Sequence, residues 1–140
     1  MFIAGNAGDD INEYTLSTGF DVSTASFVDS FSVASQDTTP NGLSFNSDGT
    51  KMYVVGNQGN DINEYSLTTA FDVSTASYVQ NFSVAAQDGI PSGMAFNDDG
   101  TKMYIVGDQH NKVYEYSIDN PSIQTVCVNE AITNITFNTT

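Results

Sequence analysis

Residues 90–118, "IPSGMAFNDDGTKMYIVGDQHNKVYEYSI", read as three strands in succession. "SGMAFN" alternates in polarity, "DDGT" carries an Asp-Gly turn signal, and "KMYIVG" is a β-rich run, so the pair reads as a hairpin. After the polar "DQHN", "KVYEYSI" supplies the next strand. The preceding copy of this pattern carries a further strand: "DINEYSL", where Tyr65 and Leu67 alternate with Glu64 and Ser66, is followed past a Ser/Thr-rich loop by "SYVQNFSV". Four strands make one unit. No segment of ten or more residues carries a convincing 3.6-residue apolar stripe, and "DVSTASFV" imitates a helix start only because Asp and Ser are good caps.

The units repeat. Residues 1–51 align without a gap on residues 52–102, with 33 of the 51 positions identical. A third copy opens at Met103, keeps nine of the sixteen residues of "MYIVGDQHNKVYEYSI", and leaves the pattern at "DNP". A period near 50 belongs to propeller blades, whereas helical repeats generally run to about 33–47 residues. The expected fold is therefore an all-β propeller with four-stranded blades of 51-residue period, incomplete in one chain. Residues 1–118 hold the blades, the first lacking its initial strand, and residues 119–140 form a β-like tail.

A closed propeller takes about four to eight blades, so this chain needs a partner. Within the tail, "IQTVCV" suits an outermost strand, and "NITFN" echoes "GMAFN", with Ile135, Phe137 and Asn138 in the places of Met94, Phe96 and Asn97. Residues 134–138 are thus a candidate for the strand missing before Met1, supplied to a second subunit or across a ring junction. A homodimer of about six blades would result. The alternative is a longer propeller or extracellular protein whose tail opens a second module, since "VCVNEAITNITF" is similar to the opening of sandwich-like repeats in Bacteroidetes cell-surface proteins.

Composition excludes several partners. With 140 residues, three Lys plus Arg against seventeen Asp plus Glu, the formal net charge is −14. Nucleic-acid affinity draws on clustered Lys and Arg, and an anionic membrane surface would repel this chain. No apolar run is long enough to cross a bilayer as a helix. The single cysteine, Cys127, forms no intrachain disulfide, and no Cys/His cluster suggests zinc. Nine Phe and seven Tyr supply material for a folded core.

The same stretch resembles the blades of lactonase-like and NHL-like β-propellers, and is similar above all to highly repetitive propellers of extracellular bacterial proteins. Pro40, Gly42, Phe45, Asp48, Gly49 and Tyr53 carry the pattern in one copy, and Pro91, Gly93, Phe96, Asp99, Gly100 and Tyr104 in the next. The resemblance covers about residues 1–118 and implies a secreted or surface location. It specifies a blade and leaves activity open. A lactonase-like site draws different catalytic residues from different blades, whereas these copies are nearly the same. A non-catalytic module binding protein or glycan, or serving as structure, is the first expectation; a lactonase-like or other hydrolytic propeller is the alternative.

Candidate residues follow from the loops. Asn6, Asp9 and Asp10, then Asn57, Asn60 and Asp61, then Asp108 and Asn111, offer oxygen ligands after each "YVVG"-type strand, a possible calcium set. The competing reading is that they simply make tight turns. Gln36 and Asp37, with Gln87 and Asp88, precede Pro40 and Pro91 in loops that read either as recognition positions or as Asx-type turns. Glu13, Glu64 and Glu115 recur opposite Tyr14, Tyr65 and Tyr116; hydrogen bonding at a blade junction is favoured for them over an acidic channel ring. His110 replaces Gly8 and Gly59, with no nucleophile beside it in the sequence.

Overall fold

The computed structural model describes residues 1–119, 123–128 and 131–135, with side chains through Ile118. Three antiparallel sheets follow one another along the chain, none of them closed. The first holds β1 (Phe2–Gly5), β2 (Asp10–Leu16) and β3 (Ala25–Ser32). The second holds β4 (Pro40–Phe45), β5 (Lys51–Gly56), β6 (Asp61–Leu67) and β7 (Ala76–Ser83). The third runs β8 (Pro91–Phe96), β9 (Lys102–Gly107), β10 (Lys112–Asp119), β11 (Ile123–Val128) and β12 (Ala131–Ile135). Strand order in every sheet follows chain order. The tail thus extends the third sheet beyond β10, while residues 136–138 of the "NITFN" echo lie outside the described residues.

Local chemistry accounts for the elements. Pro40 and Pro91 stand at the first position of β4 and β8, where a residue without an N–H is tolerated, and each is followed by a register shift. The Asp-Gly turns close β4 on β5 and β8 on β9, with Gly49 and Gly100 at φ of 72° and 71°, a region open to glycine. Asp48 accepts from the Thr50 amide at 2.9 Å, and Asp99 accepts from Thr101 at the same distance. Where "DVST" imitates a helix start, the chain makes one 3-10 turn, Val22–Thr24 and again Val73–Thr75, capped by Asp21 and Asp72. Continuation stops there because the β-branched and Ser-rich residues that follow pair as strands.

Packing between sheets repeats as the sequence does. In β5, Met52 and Val54 face the first sheet, while Tyr53 and Val55, one residue over, face the third. The second sheet is therefore covered on both sides. One core joins Ile11 and Val33 to Met52, Val54, Tyr65 and Val73; another joins Val55, Ile62 and Val84 to Met103, Ile105 and Tyr116. Aromatic contacts recur at the same offset. Phe31 meets Tyr65 edge-on at 5.5 Å, and Phe82 meets Tyr116 at 5.5 Å. Phe2 lies 4.5 Å from Phe45, and Tyr53 lies 4.8 Å from Phe96.

The two-sided burial of β5 sets a stability contrast. Val54→Ala is expected to cost about 2 kcal/mol in urea unfolding, through lost burial and the cavity left behind. Val79→Ala, on an exposed stretch of β7, should stay within about 0.5 kcal/mol.

Candidate functional site

The connectors between sheets hold two buried carboxylates, Asp37 and Asp88. After β3 the chain turns at Val33–Asp37, with the Asp37 amide donating to the Val33 carbonyl at 2.9 Å. Val33 N–H is itself tied to the Asp9 carbonyl at 2.8 Å. This turn aims the Asp37 side chain into the hairpin loop between β5 and β6. There its Oδ1 accepts from the Thr39 amide at 2.6 Å, and its Oδ2 accepts from the amides of Gln58 and Gly59 at 3.1 and 3.2 Å.

One repeat later the arrangement recurs. Asp88 Oδ1 accepts from the amides of Ile90 and Gln109 at 2.9 and 3.2 Å, and Oδ2 accepts from the His110 amide at 3.0 Å. Both carboxylates are buried. Burial raises the Asp88 pKa, but the amides of Ile90, His110 and Gln109 outweigh it and hold the group below the usual aspartate value. Gly56 and Gly107 make the room, since a methyl at either would collide with the carboxyl of Asp37 or Asp88. Gln58 and Gln109 return the contact: their side-chain oxygens accept from the amides of Thr38 and Gly89 at 2.9 and 2.7 Å.

Asp37 and Asp88, whose loops the sequence offers either to recognition or to Asx-type turns, accept from the amides two residues on, Thr39 and Ile90, as an Asx turn does, and from the hairpin amides besides. Gln36 and Gln87 lie beside them and accept from the hydroxyls of Tyr65 and Tyr116, each at 3.3 Å. Burial drives the pKa of both tyrosines upward, so they stay protonated as donors.

The oxygen-rich loops divide by role. Asp9, Asn60 and Asn111 occupy equivalent left-handed positions, at φ of 51°, 50° and 53°, which Asn and Asp adopt more readily than other side chains. The Asn60 amide, with its NH2 turned inward, donates to the carbonyls of Asn57 at 2.8 Å and Gly89 at 2.6 Å. Asp10 accepts from Asn12 at 2.8 Å; Asp61 accepts from Asn63 at 2.9 Å and from Asn81. Asp108 accepts from the Ser92 hydroxyl at 3.2 Å, and Asn6 is exposed. The buried Oδ1 of Asn57 has no protein donor. Among the described residues no group of three or more His, Cys, Asp and Glu is placed to hold a metal ion.

The glutamates take separate partners. Glu13 crosses a sheet junction, accepting from the Val73 amide at 3.2 Å. Glu64 and Glu115 pair with Lys51 and Lys102 within their own sheets, each at 2.8 Å. His110 departs from repeat symmetry, standing where the other copies have Gly8 and Gly59. Its Nδ1 lies 3.2 Å from Asp88 Oδ2 and 3.4 Å from the Tyr114 hydroxyl, which donates to the Gln87 carbonyl at 2.7 Å. In the sequence His110 has no nucleophile beside it; the fold brings it onto a buried carboxylate.

No family model and no curated protein matches the sequence. Solved structures do match the fold. A candidate 6-phosphogluconolactonase of Bacteroides fragilis superposes with a TM-score of 0.63 at 10% identity, over 96% of this chain and 34% of its own. Another from Bacteroides uniformis gives 0.61 at 11% identity, over 95% and 36%. A functionally unknown protein from Desulfotomaculum acetoxidans gives 0.58 at 13%, over 93% and 35%. The chain thus shares the sheet arrangement of these structures and spans about a third of their length.

Loss of the carboxylate clamp should be costly. Asp37→Ala leaves three amides without their acceptor and is expected to lower unfolding free energy by about 3 kcal/mol. Because the Asp88 pKa is depressed in the folded state, its contribution is present above the unfolded value of 3.8 and lost as the pH falls through the folded value. Asp88→Asn should therefore flatten the acid limb of a stability-versus-pH curve, as followed by circular dichroism.

Proposed function

We propose that this chain is a segment of an extracellular β-propeller, each sheet one blade, acting as a non-catalytic module that binds protein or glycan or serves as scaffold. The observation that carries this reading is the equivalent use of equivalent acids. Asp37 and Asp88 both close on backbone amides. A carboxylate that acts directly on substrate or metal needs accessible lone pairs, whereas these two are buried, each with three backbone amides on it. The extracellular location rests on the resemblance to repetitive bacterial propellers. The loops carrying Gln58 and Gln109 stand exposed at one end of the sheets and are the surface available for recognition.

A hydrolytic reading draws on two observations. Two of the matching solved structures are named as candidate 6-phosphogluconolactonases. His110 also rests against Asp88, as a general base rests against its orienting acid. The hydroxyl beside His110 belongs to Tyr114, a buried tyrosine whose pKa burial pushes upward, which disfavours it as a nucleophile.

A lactone assay separates the two. The purified chain is expected to leave the spontaneous hydrolysis of 6-phosphogluconolactone unchanged within error. Acceleration that His110→Ala abolishes would overturn the non-catalytic reading.

A further inference from the structure

Oxygen atoms converge where the hairpin loop between β5 and β6 meets the connector entering β8. The inward side-chain atom of Asn60 lies 2.8 Å from the Asn57 carbonyl oxygen and 2.6 Å from that of Gly89. With the NH2 inward, these contacts are two hydrogen bonds. They leave a third oxygen of the same loop unserved: the buried Oδ1 of Asn57 has no protein donor, and buried acceptors without one are rare.

The repeat shows which atom these positions keep. Asp9, Asn60 and Asn111 share one position, and Asn6, Asn57 and Asp108 share the other. Carboxylate and amide interchange at both. A left-handed backbone favours either group at the first position, but the second has no such backbone. What the two groups have in common is an oxygen. An NH2 is dispensable, since Asp9 has none to turn inward. A buried water would serve Asn57 Oδ1 alone and gives no reason for the interchange.

With the Asn60 oxygen inward, the same distances describe a ligand shell. Oxygens at about 2.3–2.6 Å from a seven-coordinate calcium ion stand about 2.7–3.1 Å apart around its pentagon. The separation of 2.8 Å falls in that span and 2.6 Å just below it.

We propose that Asn57, Asn60 and Gly89 form a calcium site between the second and third sheets, with the Asn60 amide turning its oxygen inward when the ion binds. The carbonyls of Asn57 and Gly89 and the Oδ1 of Asn57 are the other protein ligands, and water completes the shell. Magnesium fits less well, because it demands octahedral geometry and sheds water reluctantly. Sodium and potassium gain half as much from the field of the buried Asp61 and Asp88, each one residue from a ligand. Without a carboxylate in the shell, the affinity belongs to the extracellular class, about 10⁻³ M. The ion ties the hairpin to the connector beside the Asp88 clamp. This site does not depend on the scaffold reading, and the lactone assay does not bear on it.

A titration of the 15N-labelled chain with calcium chloride, followed by NMR against sodium chloride of equal ionic strength, tests the site. The backbone amides of Asn60, Gly89 and Ile90 and the Asn60 NH2 pair are expected to shift saturably with calcium, half-complete near about 1 mM, and not with sodium. Asn60→Gly keeps the left-handed backbone and should abolish the saturable shift at Gly89 and Ile90. Asn60→Asp, the residue of the first copy, should tighten binding at least about tenfold. Should Asn60→Gly disturb the fold, Asn57→Ala carries the same comparison, with binding weakened at least about fivefold. No saturable shift up to about 20 mM calcium, shifts at Gly89 that survive Asn60→Gly, or binding no tighter in Asn60→Asp would overturn the proposal.

Discussion

A carboxylate buried in a connector and satisfied by backbone amides is the constraint on which the rest of this structure depends. Asp37 leaves the first sheet and is captured by a hairpin loop of the second; Asp88 repeats this between the second and the third. An unpaired charge in such a place would be strongly destabilising, so the loop amides and the aspartate enforce each other's positions. The connector is thereby fixed at both ends, by the turn at Val33 or Val84 and by the clamp. The glycine that ends β5 or β9 is part of the same device, because any side chain there would occupy the carboxylate's space.

With the connectors fixed, the sheets come face to face in a constant register. The consequence is visible in β5, where consecutive valines, Val54 and Val55, are both fully buried against different neighbours. A strand that is apolar on both faces is normally a mark of a central layer. Here the same residues at the outer sheets, Ile3 and Val106, are partly exposed, so burial is decided by position in the stack rather than by sequence. Of the sixteen acids among the described residues, nine lie in turns and connectors, where Asp48 and Asp99 serve neighbouring Thr hydroxyls and amides.

Much of this was legible from residues. Asp-Gly at 48–49 and 99–100 marked hairpin turns, the 51-residue offset marked equivalent units, and the Phe and Tyr content marked a folded core. The Asx-turn contact of Asp37 and Asp88 was legible too, but their burial against the hairpin amides was not, because "QD" before a proline reads as an exposed loop. That burial depends on amides twenty-one residues away in sequence. A signal was present: Asp37 stands nineteen residues before Gly56, and Asp88 stands nineteen before Gly107. A carboxylate and a missing Cβ at fixed spacing are the two halves of one contact. His110 was legible as a break in symmetry, but its placement against Asp88 follows from the clamp.

Amide hydrogen exchange read by NMR tests the clamp most directly. Gln58, Gly59, Gln109 and His110 are exposed loop residues, yet their N–H groups point at buried carboxylates. The account predicts that these four amides exchange at least about a hundredfold more slowly than in an unstructured peptide, and that protection at Gln58 and Gly59 vanishes in Asp37→Ala. Exchange of the four at the unstructured rate in the parent chain would contradict it.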